Sequence, residues 1–269
     1  MSNPPPALPP FPPGAPVAVE TAPQPPIATG WGPPPPVPWT LRDVFIGLLV
    51  PLGFYAIAFA SRRLMGDPRT EAPSMSGASR LLAGVLIITF QLSLLVPVWW
   101  WGLRKYSVGR EALGLRPFAA LPGCGLIFVA LVVGYTITGM WGLFLMRYGL
   151  RAQPNPLPLF GEGAAGLLLA LLAAGLIAPL TEEIFFRGFM FPAFRDRLGE
   201  FWGITLSAGI FGLAHLQPLA LPALFGLGAL LAWLYQRTGS LWPGIILHAT
   251  INSVAILALF AVGNSLPQP

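Results

Sequence analysis

The chain has 269 residues, of which 55% are hydrophobic and only 9% are charged. Soluble domains carry roughly 25% charged residues, so a chain this apolar would expose too much hydrocarbon to water as a soluble protein. The formal net charge of +5 comes from basic residues scattered at the ends of apolar runs. They form neither the patch nor the arm that nucleic-acid binding requires, so no nucleic-acid partner is expected. The composition predicts an integral membrane protein in contact with membrane lipids.

The N-terminal stretch, residues 1–39, is dominated by proline, alanine and glycine, and Glu20 is its only charged residue. Proline fixes φ and lacks a backbone donor, so the stretch cannot form a helix or a central strand. It also lacks the basic start and apolar core of a signal peptide. We expect a disordered, proline-rich tail over residues 1–39, followed by a helical membrane domain over residues 40–265.

Seven apolar runs follow the tail, and each is predicted to be a helix that crosses ~30 Å of hydrocarbon at ~1.5 Å per residue. The runs are Leu41–Ser61, Leu81–Leu103, Ala119–Tyr148, Ala164–Phe191, Phe201–Leu216, Leu219–Tyr235 and Leu241–Val262. The fifth and sixth are short and separated by a tight break, so they form a hairpin or include a re-entrant segment. The sequence predicts an all-α, polytopic bundle of about seven transmembrane helices, with six and eight as alternatives. The loops on the N-terminal side carry eight Lys or Arg residues and the opposite loops six, which favours a cytoplasmic N-terminus.

Ionisable and amide side chains occur at three places in the fourth, fifth and seventh runs. They are Glu182, Glu183, Arg187, His215, His248 and Asn252. A charge at the centre of a spanning helix costs about 2.5 kcal/mol or more on insertion scales, so such residues are functional candidates. Counted from the loops on one side of the membrane, all lie within one to two helical turns of a common depth. We therefore predict that they converge on one site.

The spacing of these residues favours a particular chemistry. Glu183 and Arg187 are four residues apart, so they share a helix face and can pair. A carboxylate beside a neutral imidazole can activate water. An imidazole with a carboxamide supplies donors for the oxyanion that forms when water attacks an amide carbonyl. Together, these groups predict amide hydrolysis without a covalent intermediate.

Three motifs in this order resemble a known family of membrane proteins. The motifs are Glu182-Glu183-x-x-x-Arg187, Phe211-x-x-x-His215 and His248-x-x-x-Asn252. They resemble the CPBP family of intramembrane proteases, which includes CAAX-prenyl endopeptidases and bacteriocin-processing (Abi) proteins. Leu113-Gly-Leu-Arg116 is also similar to a loop of that family. The resemblance covers roughly residues 105–260, with a catalytic core at about residues 160–260.

The resemblance implies an intramembrane endopeptidase whose site opens toward the cytoplasm and whose substrate is a membrane-associated or lipid-modified peptide or protein. It implies that Glu182 is the general base and that His215 helps to bind the water. His248 and Asn252 would stabilise the oxyanion, while Glu183 and Arg187 would support the site. The oligomeric state is left open.

Metal dependence separates two mechanisms for such an enzyme. Glu182, His215 and His248 could hold a catalytic zinc ion, which needs three protein ligands and one open position. The chain has no His-Glu-x-x-His helix, so the usual spacing of zinc peptidases is missing. We expect a glutamic peptidase without cofactor or metal, and zinc is the alternative.

Two other functions fit intramembrane glutamate and histidine. A proton-coupled carrier uses such residues as relays, but no convincing repeat relates the two halves of this chain. A catalytically idle scaffold would keep the same residues for interhelical hydrogen bonds.

Small residues of the later runs have structural roles in this interpretation. Pro179 is predicted to kink the fourth span. Four glycines, which are Gly209, Gly212, Gly226 and Gly228, are predicted to allow close helix packing.

Overall fold

A computed structural model of the protein describes residues 31–64, 77–150, 155–161 and 163–265. Within these ranges the chain is helical and contains no β-strand, and a helix occupies each of the seven predicted runs. The helices are α1, Leu41–Leu64; α2, formed by Gly77–Ser93, Leu95–Pro97 and Val98–Arg104; α3, Ala120–Arg147; α4, Gly163–Leu198; α5, Glu200–Ala214; α6, Leu221–Thr238; and α7, Trp242–Ser265.

Four helices in the described part of the chain are long and apolar enough to cross a membrane. They are Leu82–Arg104, Ala120–Arg147, Gly163–Leu198 and Trp242–Val262. Helix α5 is apolar but has only 15 residues, and it packs against α6 as the hairpin alternative predicted. The predicted all-α membrane fold is confirmed, and four of the seven predicted spans have full spanning length and composition.

Helix α4 is longer than its predicted run and widens at two places. The segments Leu171–Ile177 and Glu183–Met190 are π-helical, with backbone hydrogen bonds that reach back five residues. Pro179 follows the first segment and Pro192 follows the second. Proline has no backbone N–H to donate, so the helical hydrogen-bond pattern is interrupted at each proline. Each π-helical segment lies next to such an interruption. The residues that carry the candidate site thus belong to an irregular stretch of a continuous helix.

The segment of residues 31–40 packs onto the ends of the helices. Trp39 is only 1% exposed, and its Nε1 donates a hydrogen bond to the carbonyl of Phe189 at 2.7 Å. The guanidinium group of Arg195 donates to two proline carbonyls of the same segment. Residues 31–39 therefore belong to the folded domain and not to a disordered tail, because their carbonyls and the tryptophan ring find partners there. Residues 1–30 of the predicted tail lie outside the described residues.

Several connections meet on the side of the bundle where α1 begins. The Arg116 side chain donates to the carbonyl of Gly239 at 2.7 Å, and the Leu241 backbone N–H donates to the carbonyl of Gly114 at 2.9 Å. The Gly32 backbone N–H donates to the carbonyl of Arg237 at 3.0 Å. We call the surface formed by residues 31–40, 105–119, 195–200 and 237–241 the N-terminal face.

Three of the four glycines predicted to allow close packing do so. A Cβ atom at Gly212, Gly226 or Gly228 would lie 2.9 to 3.0 Å from an atom of a neighbouring helix, which is closer than nearly all real Cβ contacts. A Cβ atom at Gly209 would meet nothing within 4 Å, so the prediction is wrong there because that residue faces open space.

Candidate active site

The π-helical turn of α4 carries a buried ion pair. Glu183 is 1% exposed and Arg187 is fully buried, and Arg187 Nη1 donates to Glu183 Oε1 at 2.9 Å. Arg187 Nη2 donates to the carbonyl of Gly228 in α6 at 3.1 Å, and the guanidinium carbon lies 4.3 Å from the centre of the Phe211 ring. The pairing predicted from the spacing is present, and it leaves neither buried charge without a partner.

His248, from α7, lies between the two glutamates. Its Nδ1 is 3.1 Å from Glu183 Oε1, and its Nε2 is 3.9 Å from Glu182 Oε2. A carboxylate that pairs with arginine can only accept hydrogen bonds, so Nδ1 carries the proton in this contact. A neutral imidazole in this orientation presents Nε2 as an acceptor on the side of Glu182.

A glycine allows α7 to approach this close. A Cβ atom at Gly244, one turn before His248, would lie 3.2 Å from Glu183 Oε2. That oxygen is buried and accepts no hydrogen bond from any residue that the structure describes. The absence of a side chain at Gly244 therefore brings the imidazole within reach of α4.

Glu182 also contacts a residue that the sequence analysis did not select. Gln91 Nε2 of α2 donates to Glu182 Oε1 at 3.0 Å, and Gln91 Oε1 accepts a hydrogen bond from Thr181 Oγ1 at 2.9 Å. All three side chains are buried. Gln91 is the only amide side chain in the second apolar run, and a search for charges and imidazoles alone overlooks it.

Helix α1 closes the site from another direction. The hydroxyl group of Tyr55 donates to the carbonyl of Ala214, the last residue of α5 and the neighbour of His215. The Tyr55 ring packs against Phe90, with ring centres 5.2 Å apart. Tyr55 thereby ties the end of α5 to α1 and α2, and sequence spacing gave no signal for this contact.

The side chains of His215 and Asn252 form hydrogen bonds with backbone carbonyls. His215 Nδ1 is 2.8 Å from the carbonyl of Phe211, whose ring centre is 4.8 Å from that of His215 and 5.8 Å from that of His248. Asn252 Nδ2 donates to the carbonyl of Ala174 at 3.0 Å. The predicted roles of His215 and Asn252 in catalysis stay predictions.

The described residues contain no group of three His, Cys, Asp or Glu side chains arranged to hold a metal ion. The zinc alternative requires Glu182, His215 and His248 to converge on one point, and here the ring of Phe211 contacts both imidazoles. Metal dependence stays a question for experiment.

Comparisons with known proteins match the region that contains these residues. Residues 164–254 match the family described as "Type II CAAX prenyl endopeptidase Rce1-like". YdiL of Bacillus subtilis (strain 168), a candidate membrane peptidase by its name, is 33% identical over 160 residues, which are 59% of this chain and 63% of YdiL. The alignment thus spans less than two thirds of that relative. No solved structure matches the chain.

The alignments with two further relatives cover a larger share of the relatives' own length. An uncharacterized 24.3 kDa protein of Escherichia coli is 31% identical over 153 residues, which are 53% of this chain and 70% of that protein. The membrane-embedded CAAX protease MroQ of Staphylococcus aureus (strain USA300) is 30% identical over 183 residues, which are 66% of this chain and 70% of MroQ. The chain therefore belongs to the Rce1-like CAAX protease family, as the resemblance of its three motifs predicts.

Proposed function

We propose that the protein is an intramembrane endopeptidase in which Glu182 and His248 together hold the attacking water. The observation that carries the proposal is the separation of 3.9 Å between Glu182 Oε2 and His248 Nε2 within a buried, hydrogen-bonded group. The two atoms are too far apart for a direct hydrogen bond, and one water can bridge them. Membership of a protease family supports the reaction class.

In the proposed state, His248 is neutral and Glu182 is ionised, which prepares this water for attack. Both Glu182 Oε2 and His248 Nε2 are acceptors, so a bridging water donates one hydrogen to each and keeps its lone pairs for a carbonyl carbon. Glu183 fixes the orientation of His248 through Nδ1. Arg187 compensates the charge of Glu183, which leaves Glu182 as the carboxylate that accepts the proton.

In the proposed reaction, the water oxygen bonds to the substrate carbonyl carbon while one water proton passes to Glu182. The C–N bond then breaks, and Glu182 returns this proton to the leaving nitrogen. The products are a carboxylic acid and an amine. General acid–base catalysis of this kind contributes about 10²- to 10⁴-fold to a rate.

The oxyanion needs donors, and Asn252 is the proposed one, because the only N–H of a neutral His248 is donated to Glu183. The Asn252 amide has two hydrogens, of which one is donated to the carbonyl of Ala174 and the other is available to the substrate. His215 donates from Nδ1 to a backbone carbonyl, so its neutral ring offers Nε2 as a further acceptor for water.

We propose that the substrates are membrane-associated or lipid-modified peptides and proteins, and that the site opens toward the cytoplasm. The family description names prenyl substrates, and MroQ is named as a CAAX protease. Four full-length apolar helices keep the protein in the bilayer, where such substrates are anchored.

The test compares membrane peptides from cells that carry the wild-type protein or Glu182→Gln. The variant keeps the size and hydrogen-bonding capacity of the side chain and loses its basicity, so cleavage should fall by about 100-fold or more. Mass spectrometry then identifies peptides that stay uncut in the variant, and hydrolysis in ¹⁸O-labelled water should place the label in the new carboxyl group.

Glu111→Gln, at an exposed residue of the N-terminal face, is the matched control and should leave cleavage unchanged. Equal cleavage by wild type and Glu182→Gln would contradict the proposal and favour a scaffold or a carrier.

Metal dependence is tested on the purified protein with a substrate identified in this way. We expect activity to survive extensive chelation, because the proposed proton transfers use side chains alone. Loss of activity on chelation and its recovery with zinc would instead establish the zinc mechanism.

A further inference from the structure

A second pocket opens on the N-terminal face, between the beginning of α1 and the end of α2. Its volume is about 590 Å³, and its lining includes Arg42, Asp43, Ile46, Trp100, Arg104 and Lys105. The apolar span Leu82–Arg104 ends at this pocket. The pocket therefore lies where hydrocarbon gives way to the polar headgroup region.

The single carboxylate of this lining is already saturated by its neighbours. Asp43 is 1% exposed, and its Oδ1 contacts Lys105 Nζ at 2.5 Å. Its Oδ2 accepts hydrogen bonds from the Tyr106 hydroxyl at 2.7 Å and from the Thr40 backbone N–H at 2.9 Å. The hydrogen bond with Asp43 raises the pKa of Lys105, so this ammonium stays charged and compensates the carboxylate.

Two cations of the pocket remain without an acidic partner. In the part of the chain that the structure describes, neither Arg42 nor Arg104 forms an ion pair. The guanidinium carbon of Arg104 lies 5.4 Å from the centre of the Trp100 ring and 5.6 Å from that of Trp99. This stacking orients the guanidinium plane and leaves its N–H groups available to an anion.

We propose that this pocket binds the phosphate group of an anionic phospholipid, with Arg42 and Arg104 as its ligands. Arginine binds phosphate through paired N–H groups, and tryptophan at this depth contacts the glycerol and the upper acyl chain. Basic pockets between transmembrane helices suit such headgroups. The site is separate from the glutamates, and its occupancy does not depend on the proposed peptidase activity.

The test measures binding of phosphatidylglycerol to the full-length protein in neutral detergent micelles, by native mass spectrometry over a lipid titration. The double variant Arg42→Gln/Arg104→Gln should bind roughly 30-fold more weakly, about fivefold for each cation. The matched control is Arg110→Gln/Arg197→Gln, which removes the same charge from the same face outside the pocket. It should stay within about twofold of the wild type, since a single bound lipid responds to nearby charges only. Equal weakening by both double variants would show general surface charge and overturn the proposal.

A second variant separates the cavity from its charges. Ile46→Trp keeps every cation and fills the pocket, so it should also weaken binding, while its thermal unfolding in detergent should stay close to that of the wild type. Unchanged lipid binding by Ile46→Trp would place the lipid elsewhere and overturn the proposal.

Free phosphate has the same ligand chemistry and is distinguished by competition. Millimolar inorganic phosphate should not displace phosphatidylglycerol from a lipid site, because the acyl chains add to its affinity. Complete displacement by inorganic phosphate would identify a soluble phosphorylated ligand instead of a lipid.

Discussion

Gln91 links the second helix to the carboxylate that is proposed to act as base. Its amide donates to Glu182 and accepts from Thr181, so it fixes one oxygen of the glutamate and leaves the other facing His248. Gln91 is therefore a positioning residue that acts through Glu182.

Replacing this amide should affect the rate of cleavage more than the binding of substrate. For Gln91→Leu we expect kcat to fall about 10- to 100-fold, since a hydrogen bond to a charged group contributes about 1.5–3 kcal/mol. KM should stay close to that of the wild type, because the amide contacts the proposed base. The measurement is cleavage of a peptide substrate by the purified variant over a range of substrate concentrations.

The matched control for Gln91→Leu is Thr89→Val on the same helix, where the hydroxyl bonds only to a backbone carbonyl at an exposed position. It should leave both kcat and KM unchanged. A Gln91→Leu enzyme with the kcat of the wild type would contradict the positioning role.

Charged and imidazole residues of the site could be found from the sequence because such groups are expensive in a bilayer. Glu182, Glu183, Arg187 and His248 form one group, and the convergence of His215 and Asn252 on the same group stays a prediction. The contact of Gln91 could not be found in this way. Burying a neutral amide in a membrane span costs less free energy than burying a charge, so the sequence does not mark it. The partner of the amide depends on which helices pack together.

The π-helical turns and the glycines decide how the helices approach one another. Hydropathy locates the apolar runs to within a few residues, but it does not report the register of backbone hydrogen bonds, so the wide turns of α4 escaped prediction. Helix α4 also continues seven residues beyond its predicted end at Phe191, to Leu198. Charged residues end the apolar run there, although the helix itself goes on along the N-terminal face.

Gly228 and Gly209 provide a matched pair of substitutions on α6 and α5. At Gly228→Ala the new Cβ would lie 3.0 Å from Ala208 Cα, so a helix must shift, and we expect a loss of about 1–3 kcal/mol in the free energy of unfolding. Gly209→Ala meets open space and should stabilise its helix by up to about 1 kcal/mol. Thermal unfolding of both variants in the same detergent checks the difference. Equal melting temperatures would show that α5 and α6 are not packed as described.

The fold class could be predicted from composition, because a chain with so few charges has no soluble alternative. The lengths of the fifth and sixth helices could not, since α5 and α6 are apolar enough to resemble spans but form a shorter hairpin. That pairing depends on contacts between distant residues, such as Gly228 with Phe211, which hydropathy does not encode.

The arrangement of the helices predicts which loops share a side of the membrane. Residue 110 precedes α3, residue 148 follows it, and the 28 residues between its ends reach ~42 Å. In a Cys124→Ala background, Arg110→Cys and Arg197→Cys should react with a membrane-impermeant maleimide from one side, and Tyr148→Cys from the other. Detergent-permeabilised vesicles, in which all three should react, are the control. Reaction of all three from one side in intact vesicles would refute this topology.

The packed N-terminal segment connects the start of the folded chain directly to the helix that carries both glutamates. Four hydrogen bonds join residues 34–39 to α4, through Phe189, Arg195 and Asp196. A protein that binds the proline-rich residues upstream would therefore act on α4 through these four hydrogen bonds.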